Sequence, residues 1–258
     1  MIKRHGLDAR RKLGQHFLLD LNLTANIVRQ AGPLAGRNVV EVGPGPGGLT
    51  RALLDSEAAH ITVIEIDERA VGALQELPPQ RLTIVAGDAL KRNLTELVAA
   101  PRQIIANLPY NVASPLLIGW LRQAAAWERL TLMFQLEVAE RICAAPDTEA
   151  YGRLSVLAQW LCRAELRLRI PPSAFIPPPK VFSAVVVLTP HAVQPEAGLF
   201  AAMERLTAAA FGQRRKMLRG SLRGLGGEAL LAKVGIAPER RAETLSVAEF
   251  EALALQLS

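Results

Sequence analysis

The stretch ANLPYN, residues 106–111, holds the side chains with the clearest chemical use. It follows a short apolar run that predicts a buried strand, so it would lie at the carboxyl edge of a sheet, where open α/β sheets bind ligands. Asn107 offers an amide oxygen and Leu108 a backbone carbonyl, and both are hydrogen-bond acceptors. Pro109 restricts the backbone, and Tyr110 supplies an aromatic face on which a flat ring can stack.

This combination suits the transfer of a group to the exocyclic amine of a nucleobase. Such an amine is a poor nucleophile because its lone pair is delocalised into the ring. Hydrogen bonds from the amine to the oxygens of Asn107 and Leu108 would localise the lone pair, so an activated donor would need only positioning. We therefore predict catalytic roles for Asn107, Leu108, Pro109 and Tyr110. A turn with a helix cap and a surface tyrosine is the alternative.

A glycine-rich stretch, EVGPGPGG at residues 41–48, lies where the first predicted strand of the sheet meets its helix. It satisfies the G-x-G-x-x-G dinucleotide fingerprint, so an NAD enzyme is one interpretation. Pro44 and Pro46 count against it, because proline has no N–H to donate to a pyrophosphate. A nucleoside cofactor without phosphate fits better, and S-adenosylmethionine is the common one. Gly43 and Gly45 are predicted to lie against it.

Two acidic residues follow the next two predicted strands. Glu65 ends the second strand, where it would hold the ribose hydroxyls of the cofactor. Asp88 follows the third strand and would hold the amino group of the cofactor's adenine. Helix capping alone would explain an acid at either position. Their occurrence together behind a glycine-rich loop favours a nucleoside pocket.

Composition narrows the class of protein. The chain has 258 residues, of which 50% are hydrophobic and 21% charged, as in a globular protein of one or two domains. Its net charge of +6 favours an anionic partner, with nucleic acid first and a membrane surface second. No apolar run approaches the roughly 20 residues of a membrane helix, and the N-terminus resembles no signal peptide. The scattered cysteines and histidines show no metal-ligand spacing, so we expect a cytoplasmic protein without a metal site.

Alternating strand and helix patterns from residue 37 to residue 135 predict an α/β fold, a parallel sheet with helices on both faces. Two later stretches, 164–170 and 183–190, alternate like strands of a mixed or antiparallel edge of the same sheet. Beyond Pro190 only helical patterns follow. The predicted fold is thus a Rossmann-like sheet of the kind found in S-adenosylmethionine-dependent methyltransferases, followed by a small all-helical C-terminal domain.

The predicted domains are a catalytic domain at residues 1–189, which begins with a basic arm at 1–15, and a helical domain at 190–258. In the helical domain, Arg215 and Arg219 fall four residues apart, with Arg223 four residues further on. They would form one stripe of a continuous helix and contact phosphates of a nucleic acid. Three basic residues of the arm would add to that surface: Arg10, Arg11 and Lys12. A solvated helix end is the alternative for the stripe.

The order of the motifs resembles that of the ribosomal RNA adenine dimethyltransferases. Shared stretches run from about residue 11 to the last helix: KLGQHFL, EVGPGPGGLT, VIEID, GDAL, NLPYN, AYGRLSV, FIPPPKV and AFGQRRK. The bacterial small-subunit branch of the family is the most similar. The resemblance implies dimethylation of N6 of two adjacent adenines in the 3′-terminal hairpin of 16S rRNA. It also implies that the partner is a small-subunit assembly intermediate, and we expect the protein to be a monomer.

The resemblance also implies roles for particular residues. His16 and Leu18 would line the mouth of the cofactor site, and the residues in contact with the cofactor would be Gly43, Glu65, Asp88 and Asn107. Phe175 would lie against the target base, although a core position under its loop is equally compatible with the sequence. The chain departs from many members at Phe182, where they have Asp, and at Ala106, where relatives have Gly.

Two other functions remain open on sequence grounds. A large-subunit adenine methylase of the antibiotic-resistance kind would share the fold and the 107–110 stretch, but the helical tail and its GQRRK run favour the small subunit. A non-catalytic assembly or transcription factor could retain the fold. The intact glycine loop, Glu65, Asp88 and NLPY stretch argue against lost catalysis. DNA adenine methylases usually carry Asp in place of Asn107.

Overall fold

A computed structural model of the protein describes residues 15–196, 198–213 and 215–257. The chain forms two compact units and passes between them after Ala139, after Ala164 and after Pro190. The boundary predicted near residue 190 coincides with the last of these crossings. Residues 140–164, which the prediction placed in the first domain, lie in the second unit. The predicted basic arm at 1–15, with Arg10, Arg11 and Lys12, lies outside the described residues except for Gln15.

The strands of the structure are short and mostly buried. They are β1 (Phe17–Leu18), β2 (Asn38–Val42), β3 (His60–Glu65), β4 (Leu82–Ala86), β5 (Arg102–Asn107), β6 (Arg129–Gln135), β7 (Cys162–Ile170), β8 (Phe175–Ile176) and β9 (Ser183–Pro190). The helices are α1 (Leu21–Gln30), α2 (Gly48–Leu54), α3 (Glu68–Leu74), α4 (Leu94–Leu97), α5 (Ala113–Leu121), α6 (Leu136–Cys143), α7 (Arg153–Leu161), α8 (Leu199–Gly212), α9 (Leu218–Ser221), α10 (Gly227–Lys233) and α11 (Val247–Ala254).

The first unit contains a seven-stranded sheet with the order β4-β3-β2-β5-β6-β9-β7. Strands β2 to β6 are parallel to one another, whereas β9 is antiparallel to β6. The predicted α/β class with an antiparallel edge is confirmed. Strand order reverses between β2 and β5, so a crevice opens beyond their carboxyl ends, where Val42 and Asn107 end the strands.

Strand burial explains why this sheet forms. Alternate residues of a strand face the same side of a sheet, and Ile61 and Val63 of β3 both belong to one buried apolar cluster. The same cluster includes Ile27 of α1 and Leu53 of α2. Asp20 begins α1 by accepting hydrogen bonds from the backbone N–H groups of residues 22 and 23, which satisfies donors at the helix end.

The second unit is helical over its described residues, apart from the start of β7. Phe211 of α8 stacks on Phe250 of α11 with ring centroids 5.6 Å apart, and Tyr151 meets Phe211 edge-on at 6.0 Å. Trp160 of α7 packs near Phe200 at 6.1 Å. These aromatic contacts explain why residues 140–164 belong to this unit. The partners are distant in sequence, so local patterns could not reveal the packing.

The predicted arginine stripe of the second unit is wrong as a feature of one helix. Helix α8 ends at Gly212 and α9 begins only at Leu218, so Arg215 lies in the intervening turn while Arg219 lies on α9. Backbone angles of the residues that flank the break are not helical, with ψ of 66° at Gln213 and 154° at Met217. The N–H of Leu218 instead donates to the distant carbonyl of Arg240 at 2.7 Å.

Some elements were not predicted from the sequence. Strands β1 and β8 pair antiparallel in a separate two-stranded sheet, with Phe17 opposite Ile176 and Leu18 opposite Phe175. Two-residue strands carry no readable alternation, so this pair exists only through the tertiary fold. Helices α6 and α7 were also missed.

Candidate active site

A cavity of about 230 Å³ lies at the carboxyl ends of the central strands, and its lining residues all belong to the first unit. It brings together most of the predicted site residues: His16, Leu18, Gly43, Gly45, Glu65, Asp88, Asn107, Leu108, Pro109 and Tyr110. These residues come from the N-terminal segment, the glycine-rich loop and the ends of β3, β4 and β5. The crevice expected where strand order reverses is therefore this cavity.

The loop that joins β2 to α2 has its own amides engaged. Pro44 and Pro46 lack an N–H, and the other residues of 43–47 donate within the protein: Gly43 to the Ile64 carbonyl (2.9 Å), Gly45 to the Glu65 carboxylate (3.0 Å) and Gly47 to the Pro44 carbonyl (3.0 Å). A pyrophosphate needs amide donors from such a loop. The loop geometry therefore favours a ligand without phosphate, as the two prolines predicted.

Glu65 is held rigidly at the end of β3. Its Oε2 accepts a hydrogen bond from the Gly45 N–H at 3.0 Å, and its Oε1 accepts one from the Asp67 N–H at 2.8 Å. Burial raises the pKa of Glu65, and these backbone hydrogen bonds act in the opposite direction. Each carboxylate oxygen can accept further hydrogen bonds, so a ribose diol at the cavity wall would find two preset acceptors.

Asp88 has the capping role that sequence left open, since its Oδ1 accepts a hydrogen bond from the Leu90 N–H at 2.9 Å at the start of a 3₁₀ turn. It also lines the cavity. Among the described residues its Oδ2 has no hydrogen-bond partner, so capping and ligand binding are compatible.

Ile66 and Leu90, which are 55% and 48% exposed, also line the cavity and offer apolar surface to a flat ring. Sequence analysis did not predict these two residues, although each lies within two positions of a predicted acidic site residue, Glu65 or Asp88.

The N-terminal segment comes very close to the glycine-rich loop. A Cβ atom built on Gly48 would lie 2.0 Å from the carbonyl oxygen of Leu18, and one built on Gly45 would lie 2.9 Å from the Phe17 ring. Side chains at either position would push the segment away. The glycines of the fingerprint thus admit the Phe17 ring and the Leu18 backbone at the edge of the cavity.

Asn107 at the end of β5 is oriented by the same segment. Its Nδ2 donates to the backbone carbonyl of His16 at 3.1 Å. With the amide nitrogen used in this way, Oδ1 is left as the acceptor of the side chain. Among the described residues, the Leu108 carbonyl accepts no hydrogen bond either. Two oxygens of adjacent residues are therefore available to an amine at the cavity wall.

Tyr110 lies in the turn before α5 with its ring half-buried. Its hydroxyl oxygen is 2.6 Å from Ser183 Oγ, and burial raises the pKa of Tyr110. The imidazole of His16 stacks on the ring with centroids 5.4 Å apart and planes 28° apart. The His16 ring is itself held, because Nδ1 lies 2.8 Å from the Pro177 carbonyl oxygen.

A sequence model described as "Ribosomal RNA adenine dimethylase" matches residues 6–257. The chain belongs to this family. A relative from Gluconobacter oxydans, named "Ribosomal RNA small subunit methyltransferase A", is 66% identical over 98% of this chain and 84% of its own length. A relative of the same name from Sinorhizobium medicae is 58% identical over 98% of this chain and 94% of its own length. The family resemblance expected from the motifs is confirmed.

Solved structures agree with this fold. A dimethyladenosine transferase from Plasmodium falciparum aligns over 93% of this chain and 97% of its own, with a TM-score of 0.77 at 24% identity. The 23S rRNA methyltransferase ErmE aligns over 93% of this chain and 99% of its own, with a TM-score of 0.67 at 25% identity. The alignments cover both units of the dimethylase chain.

Phe175 does not line the cavity of this dimethylase. It lies in β8, is only 2% exposed and belongs to the buried apolar cluster of the first unit, which is the alternative that its sequence allowed. It meets His16 edge-on at 6.5 Å. Contact with a target base stays a prediction for Phe175. Phe182, seven residues later, is 48% exposed.

Glu41 is a buried acid of the site that sequence reasoning did not single out. It is 1% exposed, lines the cavity and accepts a hydrogen bond from Thr50 Oγ1 at 2.7 Å. Burial raises its pKa to about 8, and the nearby Glu65 charge adds to the effect. Its environment therefore favours the protonated form of the carboxyl group at neutral pH. Its position as the first residue of the glycine-rich stretch could have indicated that it belongs to the site.

The remaining predicted residues lie in the second unit. Arg215 and Arg219 are both exposed, and Arg219 Nη1 lies 3.8 Å from Glu239 Oε1. Their contact with RNA stays a prediction. Over the described residues, no cluster of three metal-ligating side chains occurs, and no helix is long and apolar enough to cross a membrane.

Proposed function

We propose that this dimethylase transfers methyl groups from S-adenosylmethionine to N6 of two adjacent adenines in the 3′-terminal hairpin of 16S rRNA. The observation that carries the proposal is the orientation of Asn107, whose amide nitrogen is bonded to the His16 carbonyl at 3.1 Å and whose oxygen is left for an amine. The small-subunit methyltransferase that is 66% identical to this chain supports the choice of substrate.

Residues of the cavity suit S-adenosylmethionine. The carboxylate of Glu65 would accept hydrogen bonds from the ribose hydroxyls, and Asp88 would accept one from the adenine amine. Ile66 and Leu90 would flank the adenine ring, since both are exposed at the cavity wall. Bound there, the cofactor supplies a methyl group already activated on a sulfonium.

The chain's own contribution to the reaction is positioning. Asn107 Oδ1 and the Leu108 carbonyl oxygen would accept hydrogen bonds from the target N6, which localises the nitrogen lone pair and points it into the cavity. Tyr110 would support the base through its ring, a contact worth roughly 1–3 kcal/mol per base. No general base of the protein is required before attack, because the amine loses its proton to solvent once it carries the new bond.

The proposed partner is 16S rRNA within an assembly intermediate of the small subunit, which the protein would meet in the cytoplasm as a monomer. Exposed Arg215 and Arg219 would contact phosphates of that RNA. Such contacts add affinity without reading base sequence. The curated relatives named above support the small subunit over the large one.

The test is methyl transfer to purified subunits. Small subunits lacking the 3′-hairpin methylation would be incubated with protein and radiolabelled cofactor, and the modified bases located by primer extension and mass spectrometry. We expect two methyl groups on each of two adjacent adenines. Asn107→Ala should remain folded and lower the rate by orders of magnitude.

Methylated small subunits and large subunits are the matched control substrates. Transfer to the large subunit instead, or a rate for Asn107→Ala close to that of the unaltered protein, would contradict the proposal.

A further inference from the structure

The hydroxyl of Tyr110 has a partner outside the NLPY stretch. Its oxygen lies 2.6 Å from Ser183 Oγ, a distance typical of a good O–H···O hydrogen bond. Ser183 is fully buried and does not line the cavity. The stacking role proposed for Tyr110 needs only the ring, so this hydrogen bond requires a separate explanation.

The central sheet holds Ser183 in place. As the first residue of β9 it pairs with Gln135 at the end of β6, while Asn107 pairs with Met133 of the same strand. Ser183 and the end of β5 therefore lie at the same edge of the sheet, on either side of β6. An anchor on a buried strand moves less than one on a loop, so the hydrogen bond ties Tyr110 to a rigid element.

Two contacts together restrict the Tyr110 ring. The Ser183 hydroxyl holds its outer end, and His16 stacks on one face at 5.4 Å. Without the hydrogen bond the ring could tilt about its side-chain torsions, and a base stacked on it would tilt too. The target amine would then leave the line set by the oxygens of Asn107 and Leu108.

We infer that Ser183 is a positioning residue for methyl transfer, acting through the Tyr110 hydroxyl to align the stacked base with the two acceptor oxygens. This inference rests on the proposed function. In this role the Tyr110 hydroxyl holds the ring in place through its hydrogen bond and neither gains nor loses a proton in the reaction.

The test compares Ser183→Ala, Tyr110→Phe and the double variant. Loss of this part-buried hydrogen bond should lower kcat for undermethylated subunits by roughly three- to tenfold in each single variant. The double variant should be no slower than the slower single one, because both changes remove the same bond. The KM for subunits and the affinity for S-adenosylmethionine should stay within twofold of those of the unaltered protein.

Thr189→Val is the matched control, since it removes a hydroxyl from the same strand and, among the described residues, Thr189 Oγ1 has no hydrogen-bond partner. It should leave kcat unchanged. The inference would be overturned if kcat is unaltered in Ser183→Ala, or if Thr189→Val lowers kcat by as much as Ser183→Ala does. It would also be overturned if the loss of kcat in the double variant equals the product of the two single losses. Should Ser183→Ala fail to fold, Tyr110→Phe with an unaltered kcat would overturn it alone. Inactivity of the unaltered protein would instead refute the proposed function.

Discussion

Gly48→Ala should disturb both stability and cofactor binding, because its new methyl group meets backbone. A Cβ at this position would lie 2.0 Å from the Leu18 carbonyl oxygen and 3.2 Å from the Leu18 carbonyl carbon. Side-chain rotation cannot relieve a contact with a carbonyl group. The strand Phe17–Leu18 would have to withdraw, and its pairing with Phe175–Ile176 would weaken.

The expected magnitude follows from the cost of overpacking a tight site. Such changes destabilise proteins by about 1–3 kcal/mol. For a chain of this size each kcal/mol corresponds to about 2–4 °C in Tm, so we expect a decrease of roughly 2–12 °C. Affinity for S-adenosylmethionine should fall as well, since Leu18 lines the cavity and the adjoining His16 carbonyl orients Asn107.

Gly119→Ala is the control for the glycine substitution itself. Gly119 lies inside α5, and a Cβ built there meets nothing within 4 Å. Alanine in a helix interior is favoured over glycine by roughly 0.5–1 kcal/mol, so Tm should rise slightly and cofactor affinity should not change.

Circular dichroism melting and titration calorimetry with S-adenosylmethionine would measure both effects. The reasoning is refuted if Gly48→Ala melts at the temperature of the unaltered protein and binds the cofactor equally well. That outcome would mean that the N-terminal strand does not rest on the glycine-rich loop.

Three further predictions concern charged residues. Glu65→Ala should weaken S-adenosylmethionine binding by roughly 10- to 100-fold without creating affinity for NAD, as calorimetry with both ligands would show. Glu41→Gln should stabilise the protein increasingly as pH rises from about 4.5 to 8. Over that range the Glu41 carboxyl group is ionised in the unfolded chain but, with a pKa of about 8, stays protonated in the folded protein. The free energy of unfolding of the unaltered protein therefore falls as pH rises, whereas a glutamine at this position does not titrate. Melting at several pH values would test this, and a pH-independent difference would contradict it. Replacing Arg215 and Arg219 with Ala should weaken subunit binding. The slope of log affinity against log salt concentration should become shallower by roughly 0.7–0.9 for each lost phosphate contact. An unchanged slope would show that other residues contact the RNA phosphates.

Much of the fold was predictable because its strands and helices carry strong local patterns. The parallel strands β2, β3, β5 and β6 are buried along most of their length, and their sequences carry the short apolar runs that such strands require. The capping box of Ser246 and Glu249 likewise marks the start of α11 in sequence. The prediction of a continuous arginine helix was wrong, because α8 ends at Gly212 and α9 begins at Leu218, whose N–H donates to the distant carbonyl of Arg240.

The chemical groups that line the cavity could also be predicted from local sequence. Asn107 and Glu65 directly end their strands, so a parallel sheet must bring them to one edge. Leu108, Pro109 and Tyr110 follow in the same turn. What a linear sequence could not show is burial, which separates Phe175 in the core from Phe182 on the surface and raises the pKa of Glu41.

Local sequence by itself determined which groups gather at the cavity, because strand-end acids, a proline-interrupted glycine loop and an amide beside a tyrosine are properties of short segments. Only the tertiary structure decided how those groups are held. Asn107 is oriented by the His16 carbonyl and Tyr110 by Ser183, partners 91 and 73 residues away. Contacts at such separations depend on how strands and loops pack, and no short segment encodes them.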